Sequence, residues 1–237
     1  MRKLISLFLL TVPFAAAAQK DLFLNEFNGV NNWFFSRPNV ALVQKYVYYS
    51  DSATTRAVDS ATITIEKKYT AIHYQANGLE LFSDSGYMVK INHTARYIIV
   101  SKTAKTDTGQ LKAIFSQAFS GFTAFKKITE VNGSSEWELS GGTAGVNSAT
   151  LVLDLAAHQV KSIKMFMAGN HPLVSPFKKA GQTADPTVII KVDYQYPPVS
   201  DNYNAGTLRD FIIINASGIT PAAKLKDYRI KLIPGKQ

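Results

Sequence analysis

The 237-residue sequence has no cysteine, only two tryptophans and four methionines, and a charged fraction of just 18%. Without cysteine there are no disulfides, thiolate metal sites, cysteine nucleophiles or iron–sulfur ligands, and no lipid attachment through an N-terminal cysteine. Few charges beside 46% hydrophobic residues exclude wholesale disorder, because enough apolar surface is present to offset chain entropy. Acids are the scarcer sign, 17 against 26 Lys and Arg, for a formal net charge of +9. Beyond the N-terminus no apolar run approaches the roughly 20 residues of a membrane-spanning helix. No G-x-S-x-G elbow and no phosphate-binding glycine loop occurs. The four histidines (His73, His93, His158, His171) lack the H-x-x-x-H spacing of a metal site. No metal, no cofactor and no enzymatic activity are therefore expected. A secreted hydrolase would require three or more polar groups converging in one pocket.

The N-terminus carries the clearest signal. Arg2 and Lys3 precede an apolar run from Leu4 to Phe14, and Ala15–Ala18 offers the small residues that a signal peptidase reads. This pattern predicts a secretory signal peptide over residues 1–18, cut before Gln19, and one domain over residues 19–237. The expected product is soluble, periplasmic and not lipid-anchored. Its basic excess suits contact with anionic envelope surfaces, whereas nucleic acid is excluded by export and by the lack of a recognition motif.

Along the domain, Phe23, Phe27, Val30 and Phe34 recur at helical spacing, with Asp21 placed to cap the helix and Arg37-Pro38 to end it. The period then changes to two. Segments 43–49, 58–66, 71–75, 79–83, 87–92 and 97–101 alternate apolar with polar residues between turn signals such as Asn77-Gly78 and Asp84-Ser85-Gly86. Leu111, Ile114, Phe115, Ala118, Phe119 and Phe122 predict a mid-chain helix. Strand patterns return at 125–131, 136–140, 150–155, 161–167, 187–196, 211–215 and 228–233, and residues 168–186 form a long loop. Two helices against about nine to eleven strands predict an α+β, mostly β fold: a strongly curved antiparallel sheet, a half-barrel, covered by a few helices.

The run Leu79–Asn92, with its Ser83-Asp84-Ser85-Gly86 turn, resembles the central hairpin of the LolA-like superfamily of outer-membrane lipoprotein carriers. Leu151-Val152-Leu153-Asp154 with Val160-Lys161-Ser162-Ile163 is similar to a later hairpin of that family. Tyr194–Asp201 ahead of Phe211 is similar to its C-terminal section. The turn is one residue longer than the family's Ser-Asp-Gly. At Thr64-Ile65-Glu66-Lys67-Lys68 the family's Trp-x-Lys-Arg-Pro is missing, leaving Lys67 where an arginine latches the helical lid.

This resemblance implies a periplasmic carrier that binds the acyl chains of lipoproteins or other lipids in an apolar cavity and shuttles them toward the outer membrane. It also implies a monomer that meets an inner-membrane release complex, an outer-membrane acceptor and membrane surfaces. The alternative is a non-enzymatic envelope scaffold on the same fold. Candidate cavity residues are Ile63, Ile65, Ile72, Tyr74, Leu81, Val89 and Ile91 from the early strands, and Phe115, Phe119 and Phe122 from the helix. Ile163, Met165, Val188 and Ile190 continue the set from the late strands. Lys67 is the candidate lid latch.

Overall fold

The computed structural model describes residues 2–49, 57–84, 86–102, 119–142, 145–167, 188–199, 206–216 and 218–233, with the side chains of the first helix from residue 18 onward. Among these residues one α-helix, α1 (Arg2–Ser36), precedes fourteen strands. They are β1 (Asn39–Tyr49), β2 (Ala57–Lys68), β3 (Ala71–Ala76), β4 (Leu79–Ser83), β5 (Tyr87–Asn92), β6 (Tyr97–Lys102) and β7 (Ala124–Val131). The rest are β8 (Ser134–Ser140), β9 (Val146–Asp154), β10 (Gln159–Met167), β11 (Val188–Gln195), β12 (Ile212–Asn215), β13 (Gly218–Pro221) and β14 (Arg229–Ile233). Twelve strands hydrogen-bond in the order β14-β6-β5-β4-β3-β2-β1-β11-β10-β9-β8-β7, and β12 pairs with β13. This is the α+β, mostly β class expected, as an open sheet.

Asp21 lies inside α1 and does not cap it, since the helix continues without a break from Arg2. The expected mid-chain helix, Phe115 included, and the 168–186 loop fall outside the described residues apart from the turn at Phe119–Gly121. The sequence pattern omitted β13, whose four residues are too few to show a period.

The chain forms two compact units, one of Met1–Phe35, Tyr46–Ser60 and Lys112–Tyr194, the other of Ser36–Lys45, Ala61–Leu111 and Gln195–Gln237. In the first, cross-strand register builds one apolar face. Phe125, Leu139, Ala149, Met165 and Ile190 stand opposite one another in a row, and Lys127, Trp137, Leu151, Ile163 and Val192 form the next. Phe23, Phe27 and Val30 of α1, together with Phe119 and Phe122, are buried in one cluster with Phe125, Trp137, Leu139, Ala149 and Leu151, and Ile163 and Met165 pack against it. The packing is aromatic. Phe23 lies 5.2–5.9 Å from the rings of Phe27, Phe119, Phe125 and Trp137.

In the second unit β2 to β6 form a meander with two tight turns of fixed register. Asn77 and Gly78 both have positive φ (30° and 79°) and join β3 to β4 in two residues, so Ala76 faces Leu79. Asparagine and glycine tolerate that conformation, which matches strand twist. One face of this meander carries Phe82, Val89, Ile91, Ile98 and Val100, and it is closed by Phe211, Ile212 and Leu225 of the C-terminal segment. The antiparallel expectation fails at the end, because β14 pairs with β6 in parallel. A parallel partner needs a long crossover, which the intervening 103–228 stretch of chain supplies.

Candidate functional site: an apolar sheet face and a histidine–carboxylate network

Register sorts the sequence candidates of the second unit onto two faces. Tyr74 faces Ile65 and Leu81, while Ile63 faces Ala76 and Ile72 faces both Lys67 and Ser83. Ile63, Ile65, Ile72, Tyr74 and Leu81 therefore share one face, and all five are half-buried. Leu81 in turn faces Lys90, whereas Val89 faces Phe82 and Ile91 faces Glu80. Val89 and Ile91 thus turn to the opposite, closed face, where both are 0% exposed. The reason is the four-residue connection between Ser83 and Met88. It pairs odd positions of β4 with even positions of β5, so the alternation carries over to Met88 and Lys90.

The described first-unit candidates lie in core clusters. Phe119, Phe122, Val188 and Ile190 are buried, and Ile163 and Met165 pack half-buried against the same clusters. Ile163 and Met165 are as half-buried as the five residues of β2, β3 and β4, but they pack against a core cluster, whereas those five belong to none of the described clusters. Two polar groups on that face report a dry setting. Burial raises the Tyr74 phenol above its usual value and lowers the Lys67 ammonium below its own. Lys67 is buried and donates to the backbone carbonyl of Arg37, while the Tyr69 amide donates to the Pro38 carbonyl at 2.6 Å. These bonds tie the β2–β3 turn to the residues that lead into β1.

The other face holds a polar network that alternation alone did not disclose. Glu80 Oε1 lies 2.7 Å from His73 Nε2, and Glu80 Oε2 lies 2.9 Å from His93 Nε2. Gln75 Nε2 donates to Glu80 Oε1 at 3.3 Å, and His93 Nδ1 is 3.0 Å from the Tyr228 hydroxyl. In its neutral form, with Nε2 donating to the carboxylate, His93 accepts from Tyr228 at Nδ1; in its protonated form both ring nitrogens donate. His73 Nδ1 also lies 3.4 Å from Glu66 Oε2. The Asn77-Gly78 turn was the available signal, because its two-residue length places Gln75 opposite Glu80 and His73 opposite Phe82.

Gln75, Glu80 and His93 line a small open pocket, so polar groups do converge here. Their polar atoms are spent on one another, and among the described residues neither histidine holds a serine or threonine hydroxyl. The arrangement keeps a buried carboxylate charged and ties β4 to the segment before β14.

Burial alone would raise the Glu80 carboxyl, but the hydrogen bonds and charges of His73 and His93 outweigh it and hold it at about 2. A carboxyl whose folded value lies below its ordinary 4.5 contributes fully above that pH and loses its contribution as pH falls toward 2. Acid titration of unfolding is expected to show this loss, roughly 3 kcal/mol in all. Glu80→Gln flattens that arm of the profile; an unchanged acid slope in the variant would assign the loss to other groups.

No family model matches the chain, and no curated protein matches its sequence. Among solved structures it is similar to an uncharacterized conserved protein from Thermus thermophilus (TM-score 0.41, 7% identity, covering 88% of this chain and 98% of that one). It is also similar to lipoprotein LppX of Mycobacterium tuberculosis (TM-score 0.38, 10% identity, 76% and 98% covered). A third is a LolA superfamily protein from Nitrosomonas europaea (TM-score 0.29, 8% identity, 72% and 90% covered). Among the described residues no helix is long and apolar enough to cross a membrane.

Proposed function

We propose that this chain is a non-enzymatic carrier that holds the acyl chain of a lipid or of an acylated lipoprotein against the β2–β4 face. The observation that carries the reading is the in-register group Ile63, Ile65, Ile72, Tyr74 and Leu81, apolar and half-buried, on a sheet whose other face is closed at β4 to β6. Each methylene taken from water is worth about 0.8 kcal/mol, so burying about ten corresponds to a micromolar dissociation constant. The signal-like N-terminus and the LolA-like motifs support a periplasmic setting, with transfer from an inner-membrane release complex to an outer-membrane acceptor.

Binding of a fluorescent fatty acid by the purified protein tests the reading. Saturable binding is expected, and Ile65→Glu or Leu81→Glu lowers affinity at least ten-fold by placing a desolvated charge under the chain. Both positions are half-buried, so an unchanged circular dichroism spectrum confirms that the variants fold. A wild-type protein that binds nothing, or folded variants that bind as well as wild type, overturns it.

A further inference from the structure

We infer that the ligand is a single lipid with an anionic headgroup, its acyl chain along β2–β4 and its headgroup at Lys90, Lys231 and Arg229. This rests on the carrier reading and adds the headgroup class. The open face consists of three cross-strand rows. The middle row runs Ile65, Tyr74, Leu81, Lys90, Ile99, Lys231. One flanking row runs Ile63, Ala76, Leu79, Asn92, Tyr97, Arg229, and the other Lys67, Ile72, Ser83, Met88, Ser101, Ile233. Apart from Lys67 and Ser83, which are buried, the rows are mainly apolar at β2 to β4, and exposed cations stand at β5 and β14.

None of these positions is Asp or Glu. Of the acids on these strands, Glu66 and Glu80 turn to the other face and are taken up by His73 and His93, while Asp59 lies on β2 ahead of the paired rows and accepts from the Ser60 amide. Lys90, Lys231 and Arg229 are exposed, and among the described residues none forms an ion pair. Lys90 and Lys231 both stand opposite Ile99, one on either side. A positive end without internal counter-charge, continuous with an apolar stretch, matches an amphiphile that is apolar along its chain and negative at its head.

The lengths agree. Strand spacing near 4.8 Å puts Lys90 roughly 14 Å from Ile65 across three steps, and Lys231 roughly 24 Å away across five. One leaflet of a bilayer's hydrocarbon core, hence one acyl chain, is about 15 Å deep. A chain starting at Ile65 therefore ends where the cations begin.

The test uses the full chain incubated with vesicles of phosphatidylcholine and phosphatidylglycerol in equal parts. The protein is recovered by gel filtration and its lipid identified by mass spectrometry. Phosphatidylglycerol is expected at five-fold or more over phosphatidylcholine. Lys90→Gln with Lys231→Gln is expected to bring the ratio close to one by lowering the phosphatidylglycerol recovered. Wild-type protein carrying both lipids in equal parts overturns the headgroup assignment and leaves the carrier reading standing. The same holds if enrichment persists in the double variant. Protein that co-sediments with vesicles but carries no lipid away overturns both, and so does protein that binds neither.

Discussion

Phe23→Ala is expected to destabilise the protein by about 4 kcal/mol, measured by urea unfolding. Phe23 is 0% exposed and is the hub of the first unit's core. Its ring stacks on Phe27 and meets Phe119 and Trp137 edge-on and Phe125 at a tilt. Removing it costs the transfer energy of the ring and leaves a void lined by rigid rings, which collapse poorly around it. Phe23→Leu keeps much of the volume and should cost less than half as much. If Phe23→Ala unfolds at the same urea midpoint as wild type, α1 does not hold the core as described. Phe34, on the same predicted stripe, is only half-buried, so its alanine variant should cost far less.

The second large effect is polar. Glu26 enters the same contact between α1 and the sheet, with Oε2 accepting from Ser135 Oγ at 2.7 Å and from Trp137 Nε1 at 2.8 Å. Its Oε1 lies 2.8 Å from Lys127 Nζ. Ser135 and Trp137 are both 0% exposed, so Glu26→Ala strands two buried donors. At roughly 1–3 kcal/mol for each such group, a loss of about 3 kcal/mol is expected. Lys127 keeps Glu130 and so adds little. Pairing with Trp137→Phe, which removes one stranded donor, should make the double variant less costly than the sum of the two singles. Strict additivity would show that Glu26 and Trp137 do not act together.

Glu26 also contributes to acid sensitivity. Burial would raise its carboxyl, but the donors Lys127, Ser135 and Trp137 together hold it below 4.5. Its contribution is present above that value and lost as pH falls below it, in the same direction as that of Glu80. The two clusters lie in separate units, so their effects should add.

Several local decisions could be read from the residues alone. The 4, 3 spacing of Phe23, Phe27 and Val30 predicts both the helix and the face it buries, and all three are buried. Alternation placed β3, β4, β5 and β6 within a residue or so of where they lie. Asn77-Gly78 marks a two-residue turn, and both residues have positive φ. These features depend only on neighbours a few positions away, which is why the sequence shows them.

The sequence alone determined a β-rich chain with an aromatic helix stripe and tight hairpins. Which apolar residues remain open was decided by tertiary structure. Val89 and Ile91 look equivalent to Leu81 in a strand pattern, yet the even-length connection after Ser83 turns them into the closed core. A side chain's face depends on the parity summed across every turn, so one residue more or less in a loop inverts it. The parallel placement of β14, which brings Lys231 and Arg229 beside Ile99 and Tyr97, spans more than a hundred residues of chain. Glu80 meets His73 and His93 for the same kind of reason. No local period encodes such meetings, because they are set by which strands pair and in what register.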